Sequence, residues 1–80
     1  MDMTQRHVWD NGTVTEMTVK DGSSEVEILD RSERLANGVN RTSRTIAETY
    51  DLAEEHDEIS RQLRRSARQA YDNEQARKGN

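Results

Sequence analysis

Residues 30–78 are the feature that most constrains the fold, because this long stretch contains no proline and a single glycine, Gly38. It is rich in Glu, Arg, Ala, Gln and Leu, which are among the residues that most readily adopt a helix. Ordinary helices run over about 8–20 residues, so a helical pattern of this length indicates a helical hairpin or a coiled coil. The stretch therefore predicts that the C-terminal part of the chain is helical.

Two capping-box patterns give alternative positions for the start of this helical part. Asp30 and Thr45 each precede a Glu at the third following position, which is the capping-box pattern. The expectation is one long helix that begins near Asp30 and tolerates Gly38. The alternative is a short first helix that ends at Gly38 in a left-handed C-cap, with a fresh start near residues 40–45.

The apolar content is low for a chain that must fold alone. Leu, Ile and Val make up twelve of the 80 residues, and Phe is absent. Sixteen acidic and twelve basic side chains give a net charge of −4, and such a mixture suits a solvated helix better than a self-repelling disordered chain. A domain of this size buries a marginal core, and without cysteine no disulfide can compensate. We therefore expect self-association to supply the missing burial.

Residues 1–29 predict a small antiparallel β-meander that packs on the helical part. Asn11 and Gly12 are a strong signal for a hairpin, because both residue types tolerate a positive φ. Residues 13–20 are rich in Thr and Val, and residues 21–24 form a second turn before a short alternating strand. The side chains expected on the buried face of the meander are Met17, Val19, Val26 and Ile28.

The start of the meander leaves one alternative open. Either Val8 or Trp9 adds to the buried face, and the sequence pattern does not decide between them. Trp9 is the only tryptophan, and although such a side chain can anchor an interface, we expect it to cover the small core. Residues 1–5 are expected to be a loose chain end.

The apolar residues of the helical part fall into two stripes, rotated by about 100° from each other. The first stripe is expected to cover the sheet, and the second is expected to face another subunit. The first stripe consists of Leu35, Val39, Thr42, Ile46, Tyr50 and Ala53. The second stripe consists of Leu52, His56, Ile59, Leu63, Ala67 and Ala70.

The charges of the helical part form an acidic block over residues 48–58 and a basic block over residues 61–68. An antiparallel helix pair that crosses near Ile59 sets acid against base, whereas a parallel pair sets acid against acid. The predicted homodimer is therefore antiparallel. The alternative is a solvated face on which Asp57 and Arg61 pair within one helix. The predicted interface residues are Leu52, His56, Ile59, Leu63, Ala67, Glu54, Asp57, Arg61 and Arg64.

The motifs of common enzyme classes are absent from the sequence. There is no Cys, no Gly-rich phosphate loop and no His-Glu-x-x-His zinc motif. Residues 55–58 read Glu-His-Asp-Glu, but consecutive residues of a helix point in different directions and cannot converge on one metal ion. We therefore expect no enzymatic activity, no metal and no cofactor.

Nucleic-acid binding is the alternative function. Arginines of the helical part could form a local basic surface, although acidic residues lie between them and the pI of the chain is about 5.1. The candidate contacts are Arg41, Arg44, Arg65 and Arg68.

The function that we expect first is protein–protein interaction by a homo-oligomer, acting through its helical face in an assembly, adaptor or inhibitory role. A compact, charge-dense chain without cysteine suits a phage-encoded accessory or structural protein. No apolar run is long enough to span a membrane and the N-terminal residues lack the apolar stretch of a signal peptide, so a cytoplasmic location is expected.

Overall fold

The computed structural model of the chain describes residues 1–32 and 39–79. Four strands form one antiparallel sheet in the order β1-β2-β3-β4, and two helices follow the strands. The predicted α+β layout, a β-meander followed by a helical part, is confirmed. The elements are β1 (Met3–Val8), β2 (Val14–Val19), β3 (Val26–Arg31), β4 (Val39–Arg44), α1 (Ile46–Glu55) and α2 (Ser60–Lys78).

The predicted Asn-Gly turn joins β1 to β2. Gly12 has a φ of 88°, and its N–H donates to the carbonyl oxygen of Trp9 over 3.0 Å. The strand that precedes this turn is longer than expected, because β1 already begins at Met3. Met3 pairs with Val19 and packs against the core, so the expectation of a loose end at residues 1–5 is wrong.

The main correction to the predicted fold is a fourth strand. β3 continues through Asp30, which pairs with Asn40 of β4 instead of capping a helix. The Val and Thr residues of β4 favour an extended backbone, and pairing with β3 satisfies the backbone groups of both strands. The sheet thus extends past the predicted boundary at residue 29, and the first helix begins at Ile46. The predicted C-cap at residues 37–38 lies outside the described residues.

The first helix begins at the second of the two capping boxes. Thr45 Oγ1 accepts a hydrogen bond from the Glu48 N–H over 3.1 Å, and Glu48 Oε1 accepts one from the Thr45 N–H over 3.0 Å. α1 ends where the backbone of His56 becomes extended. The helical part is therefore two helices that contact each other, with the break at residues 56–59.

One face of the sheet carries the core, and it is the predicted one. Trp9 packs at the margin of this core whereas Val8 is exposed, which settles the choice between these two side chains. The buried apolar residues are Met17, Val19, Val26 and Ile28 from the sheet, as predicted, and Ala53, Ile59, Leu63, Ala67 and Ala70 from the helical part.

Small polar side chains lie within the helical layer of the core. Thr49 and Ser66 are fully buried, and each hydroxyl donates to a carbonyl oxygen one turn earlier in its own helix. The acceptors are Thr45 at 2.7 Å and Gln62 at 2.9 Å. Because these hydroxyls are satisfied locally, the small side chains allow α1 and α2 to approach closely without leaving an unpaired polar group.

The burial of the second helical stripe corrects its predicted role. Ile59, Leu63 and Ala67 are expected to face another subunit, but they are between 0% and 4% exposed within the single chain. The break at residues 56–59 redirects α2, so that this stripe covers the chain's own sheet. Of the first stripe, Leu35 lies outside the described residues, and Val39 and Thr42 belong to β4.

Replacing Leu63 by alanine should lower the free energy of unfolding by about 2–5 kcal/mol, because a fully buried side chain is removed and a cavity remains. Val8→Ala is the control, because Val8 is 58% exposed and should cost well under about 1 kcal/mol. Urea unfolding of both variants measures the difference. Equal small losses would contradict the placement of Leu63 in the core.

Glu48 should make the free energy of unfolding depend on pH in the acidic range. Hydrogen bonds from the backbone N–H and the hydroxyl of Thr45, with a smaller contribution from the charge of Arg44, lower the pKa of Glu48 below its ordinary value. A carboxyl group whose pKa is lower in the folded state stabilises the fold above its unfolded pKa, and the contribution is lost as the pH falls through the folded pKa.

The test of this dependence is Glu48→Gln, which keeps a capping side chain without the titration. Unfolding measured by circular dichroism between neutral pH and the acid transition should show a shallower loss of stability for Glu48→Gln than for the native chain. Glu54→Gln, at an exposed position of the same helix, is the matched control. Parallel curves for the native chain and Glu48→Gln would be evidence against the capping role.

Candidate binding groove

A groove lies between the inner face of β3 and β4 on one side and α1 with residues 56–59 on the other. Its cavity has a volume of about 270 Å³. The groove exists because α2 lies over β1 and β2, whereas α1 touches β4 without closing on it. This β4–α1 groove is lined by Trp9, Thr15, Ile28, Asp30, Asn40, Thr42, Arg44, Leu52, His56, Ile59 and Leu63.

The two ends of the groove carry opposite charges. Strand register places Asp30 beside Asn40 at one end and leaves Arg44 at the other, with Thr42 beside Ile28 between them. Arg44 lies four residue steps along the strand from Asn40, which is about 13 Å. The groove therefore has an acidic end, an apolar middle and a basic end.

Three side chains form a hydrogen-bonded chain at the acidic end. Trp9 Nε1 donates to Thr15 Oγ1 over 2.8 Å, and Thr15 Oγ1 donates to Asp30 Oδ1 over 2.6 Å. Thr15 is only 3% exposed, so its hydroxyl satisfies two neighbours at the floor of the groove. This arrangement holds the Asp30 carboxylate and the Trp9 ring in fixed positions.

Two histidines flank the tryptophan. The His7 ring meets Trp9 edge-on with ring centroids 4.7 Å apart, and the His56 ring does so at 6.3 Å. His7 Nε2 lies 3.9 Å from the Glu58 carboxylate and makes no hydrogen bond to any described residue. The sheet and the helix break therefore meet through aromatic edges and the 3.9 Å contact between His7 and Glu58 at this end of the groove.

Arg44 forms the basic end of the groove. Its Nε atom is buried, and no described residue accepts a hydrogen bond from it. The charge of Arg44 contributes to the lowered pKa of Glu48, which lies in the first turn of α1. The Glu48 carboxylate is, however, already hydrogen-bonded within the capping box. Arg44 thus has hydrogen-bonding capacity that residues 1–32 and 39–79 do not use.

The predicted interface residues fall into three locations. Leu52 and His56 line the β4–α1 groove, while Ile59, Leu63 and Ala67 belong to the core and only the first two of them border the groove. The predicted charged interface residues are all exposed on the helical part, and they are Glu54, Asp57, Arg61 and Arg64. Their pairing with a second subunit remains a prediction.

The four arginines predicted for nucleic-acid contact do not share one surface. Arg41 lies on the outer face of the sheet, beside Glu16 and Glu27, while Arg44 lies on the inner face. Arg65 and Arg68 are exposed on α2. The structure therefore separates the predicted set onto three surfaces.

Arg68 also has partners within α2. Its guanidinium donates to Asp72 over 3.1 Å and lies 5.5 Å from the centroid of the Tyr71 ring. Exposed contacts of this kind are weak, yet they orient the side chain along the helix surface.

Residues 1–32 and 39–79 contain neither a metal-binding cluster nor a helix that could cross a membrane. In this part of the chain, no three His, Asp or Glu side chains gather closely enough to hold a metal ion. Neither α1 nor α2 combines the length and the apolar character that a bilayer-crossing helix requires. A cavity of similar volume, about 260 Å³, lies beside Arg41 on the outer face of the sheet.

Three of the groove residues lie in β4, a strand that the sequence does not predict. Asn40, Thr42 and Arg44 share the inner face because side chains alternate along a strand, but these residues were assigned to a helix. The Thr45 capping box was the signal that could have found them, because a helix that starts there frees the preceding residues to form a strand.

Comparison with known proteins gives no relative: no protein-family model, no curated protein and no solved structure matches this chain.

Replacing Thr15 by valine should lower the free energy of unfolding by about 1–3 kcal/mol, because Trp9 Nε1 and Asp30 Oδ1 both lose their partner while the shape is kept. Denaturant unfolding followed by Trp9 fluorescence measures this loss. Thr18→Val is the matched control, since the Thr18 hydroxyl pairs only with exposed Thr4. A Thr15→Val variant as stable as its control would rule out a structural role for the chain of hydrogen bonds.

Proposed function

We propose that this protein is a small non-enzymatic interaction protein that assembles with a second copy of itself through the β4 edge and the β4–α1 groove. The observation that carries the proposal is that, among residues 1–32 and 39–79, β4 pairs with β3 on one side and with no strand on the other, and that its inner side chains lie in an open groove. A strand edge of this kind presents backbone N–H and C=O groups that another strand can pair with.

The two edges of the sheet differ in how they are covered. At β1, Gln62 Nε2 donates to the carbonyl oxygen of Arg6 over 3.0 Å, so α2 occupies part of that edge. At β4, Val39 is 61% exposed, and four of the six residues of the strand are exposed. This asymmetry supports association through β4 and not through β1.

The low apolar content supports the same proposal. The chain places its large apolar helical residues on its own sheet, and the groove shows where this coverage ends. A second copy would bury Leu52 and Thr42 further without requiring any new apolar residue. Such an interface fits an assembly or adaptor role, in which binding is the whole activity.

Light scattering across a dilution series tests the proposal. The native chain should be a dimer at high concentration and dissociate on dilution, whereas Thr42→Lys should remain monomeric because like charges would meet at the centre of the paired strands. Thr4→Lys, on the exposed outer face of the β1 edge, should behave as the native chain does. A native chain that is folded and monomeric at every concentration would exclude the proposed function.

A second candidate function, nucleic-acid binding, has one observation in its favour. Arg61, Arg64 and Arg65 are exposed on the face of α2 opposite its buried residues, and none of them forms an ion pair with a described residue. Free guanidinium groups on one helix face can contact a phosphate backbone.

Salt dependence separates the two candidates. Binding to a DNA duplex through these arginines should weaken with a slope of about −0.9 in log K per log salt for each phosphate contacted. Charge reversal of Arg61, Arg64 and Arg65 to Glu should abolish that binding, whereas Arg77→Glu should have a small effect. Absence of duplex binding at low salt would eliminate this candidate.

A further inference from the structure

The strand register limits how two copies of β4 can pair. In an antiparallel pair, directly opposite residues share a face of the sheet, so the inner set of Asn40, Thr42 and Arg44 must meet the same set of the second copy. A two-fold axis that gives a long overlap therefore passes through Arg41, Thr42 or Ser43.

Charge excludes two of these three registers. An axis through Arg41 places two guanidinium groups directly opposite each other, which is destabilising. An axis through Ser43 places Arg44 opposite the partner's Thr42, next to the apolar floor at Ile28. An axis through Thr42 sets threonine against threonine and places no like charges directly opposite each other.

The register through Thr42 brings a carboxylate of the second copy near Arg44. Arg44 then lies opposite the partner's Asn40, and the partner's Asp30 is the next residue on the same face. Two strand spacings, about 10 Å, separate the backbones of Arg44 and that carboxylate, a gap that the long guanidinium side chain and the aspartate can close between them. By symmetry, the same contact forms twice.

On the outer face of the sheet, the same register also brings opposite charges of the two copies together. Arg41 lies opposite the partner's Ser43, and the next residue on that face is the partner's Glu27. Glu25 also lies here, because its Oε2 accepts a hydrogen bond from Ser43 Oγ over 3.0 Å. Both arginines of β4 thus face carboxylates of the second copy, one on each face of the sheet.

We propose that the occupant of the β4 edge is a second copy of this chain, paired antiparallel about Thr42, and that the partner's Arg44 completes the acidic end of the β4–α1 groove. The two four-stranded sheets then form one continuous sheet with the helices of both copies on one side. This inference rests on the proposed function, and it adds the register, the symmetry and the ion pair.

Disulfide trapping tests the register directly, because the chain contains no cysteine of its own. Single variants Arg41→Cys, Thr42→Cys, Ser43→Cys and Thr4→Cys are oxidised mildly, and covalent dimers are followed over time. Thr42→Cys should cross-link fastest, because only at the two-fold axis do identical positions lie directly opposite each other, within the distance that a disulfide requires. Faster cross-linking through Arg41→Cys or Ser43→Cys would overturn the register.

A charge exchange on the outer face tests the pairing without touching buried groups. Arg41→Glu should weaken the dimer about tenfold, as expected when exposed pairs become repulsive, and adding Glu27→Arg should restore most of the affinity. Both variants should melt as cooperatively as the native chain. A double variant as weak as Arg41→Glu would contradict the proposed contact.

The two proposals fail in distinguishable ways. A native chain that dimerises in solution while Arg41→Cys or Ser43→Cys cross-links faster than Thr42→Cys would leave assembly through β4 standing and remove the register about Thr42. A native chain that is monomeric throughout would remove both.

Discussion

The structure depends on covering one face of a four-stranded sheet with the few apolar side chains that the helices carry. Leu63 and Ile59 supply most of this cover from the helical side, opposite Met17 and Ile28. Small residues between the helices let α1 and α2 lie close together, but small residues bury little apolar area. The cover is therefore narrow, and it is centred on β1 and β2.

The groove follows from this narrow cover. α2 is long enough to lie across the first strands, while the short α1 reaches only the border of β4. The side chains left in the gap are mixed in character, with the Asp30 carboxylate fixed by Thr15 at one end and the buried Nε of Arg44 at the other. A surface that combines an open strand edge with opposite charges at fixed positions is self-complementary under a two-fold axis.

The sequence allowed the first half of the fold to be predicted, because its signals are local. The Asn-Gly turn and the alternation of Met17, Val19, Val26 and Ile28 depend on backbone geometry within a few residues. β4 was missed because an Asn- and Arg-containing stretch lies within a helix-forming composition, and its strand state is decided by pairing with β3. The helix break at residues 56–59 also lacks a local signal, because no proline or glycine marks it, and the sequence therefore does not predict it.

The candidate site could be predicted only in part. Leu52 and His56 were singled out from their helical spacing, and both line the groove. Trp9, Thr15 and Asp30 come together across three segments, and such a convergence requires the sheet register. Asp30 was interpreted as a helix cap, which is a reasonable use for an aspartate at that position when only local sequence is considered.

The measurement that tests the central claim most directly is amide hydrogen exchange as a function of protein concentration. If two copies pair through β4, backbone amides on the open edge of Val39–Arg44 should exchange more slowly as the concentration rises, while those of Met3–Val8 at the other edge should not change. Protection that rises in β1 or on the exposed face of α2, with none in β4, would contradict the account.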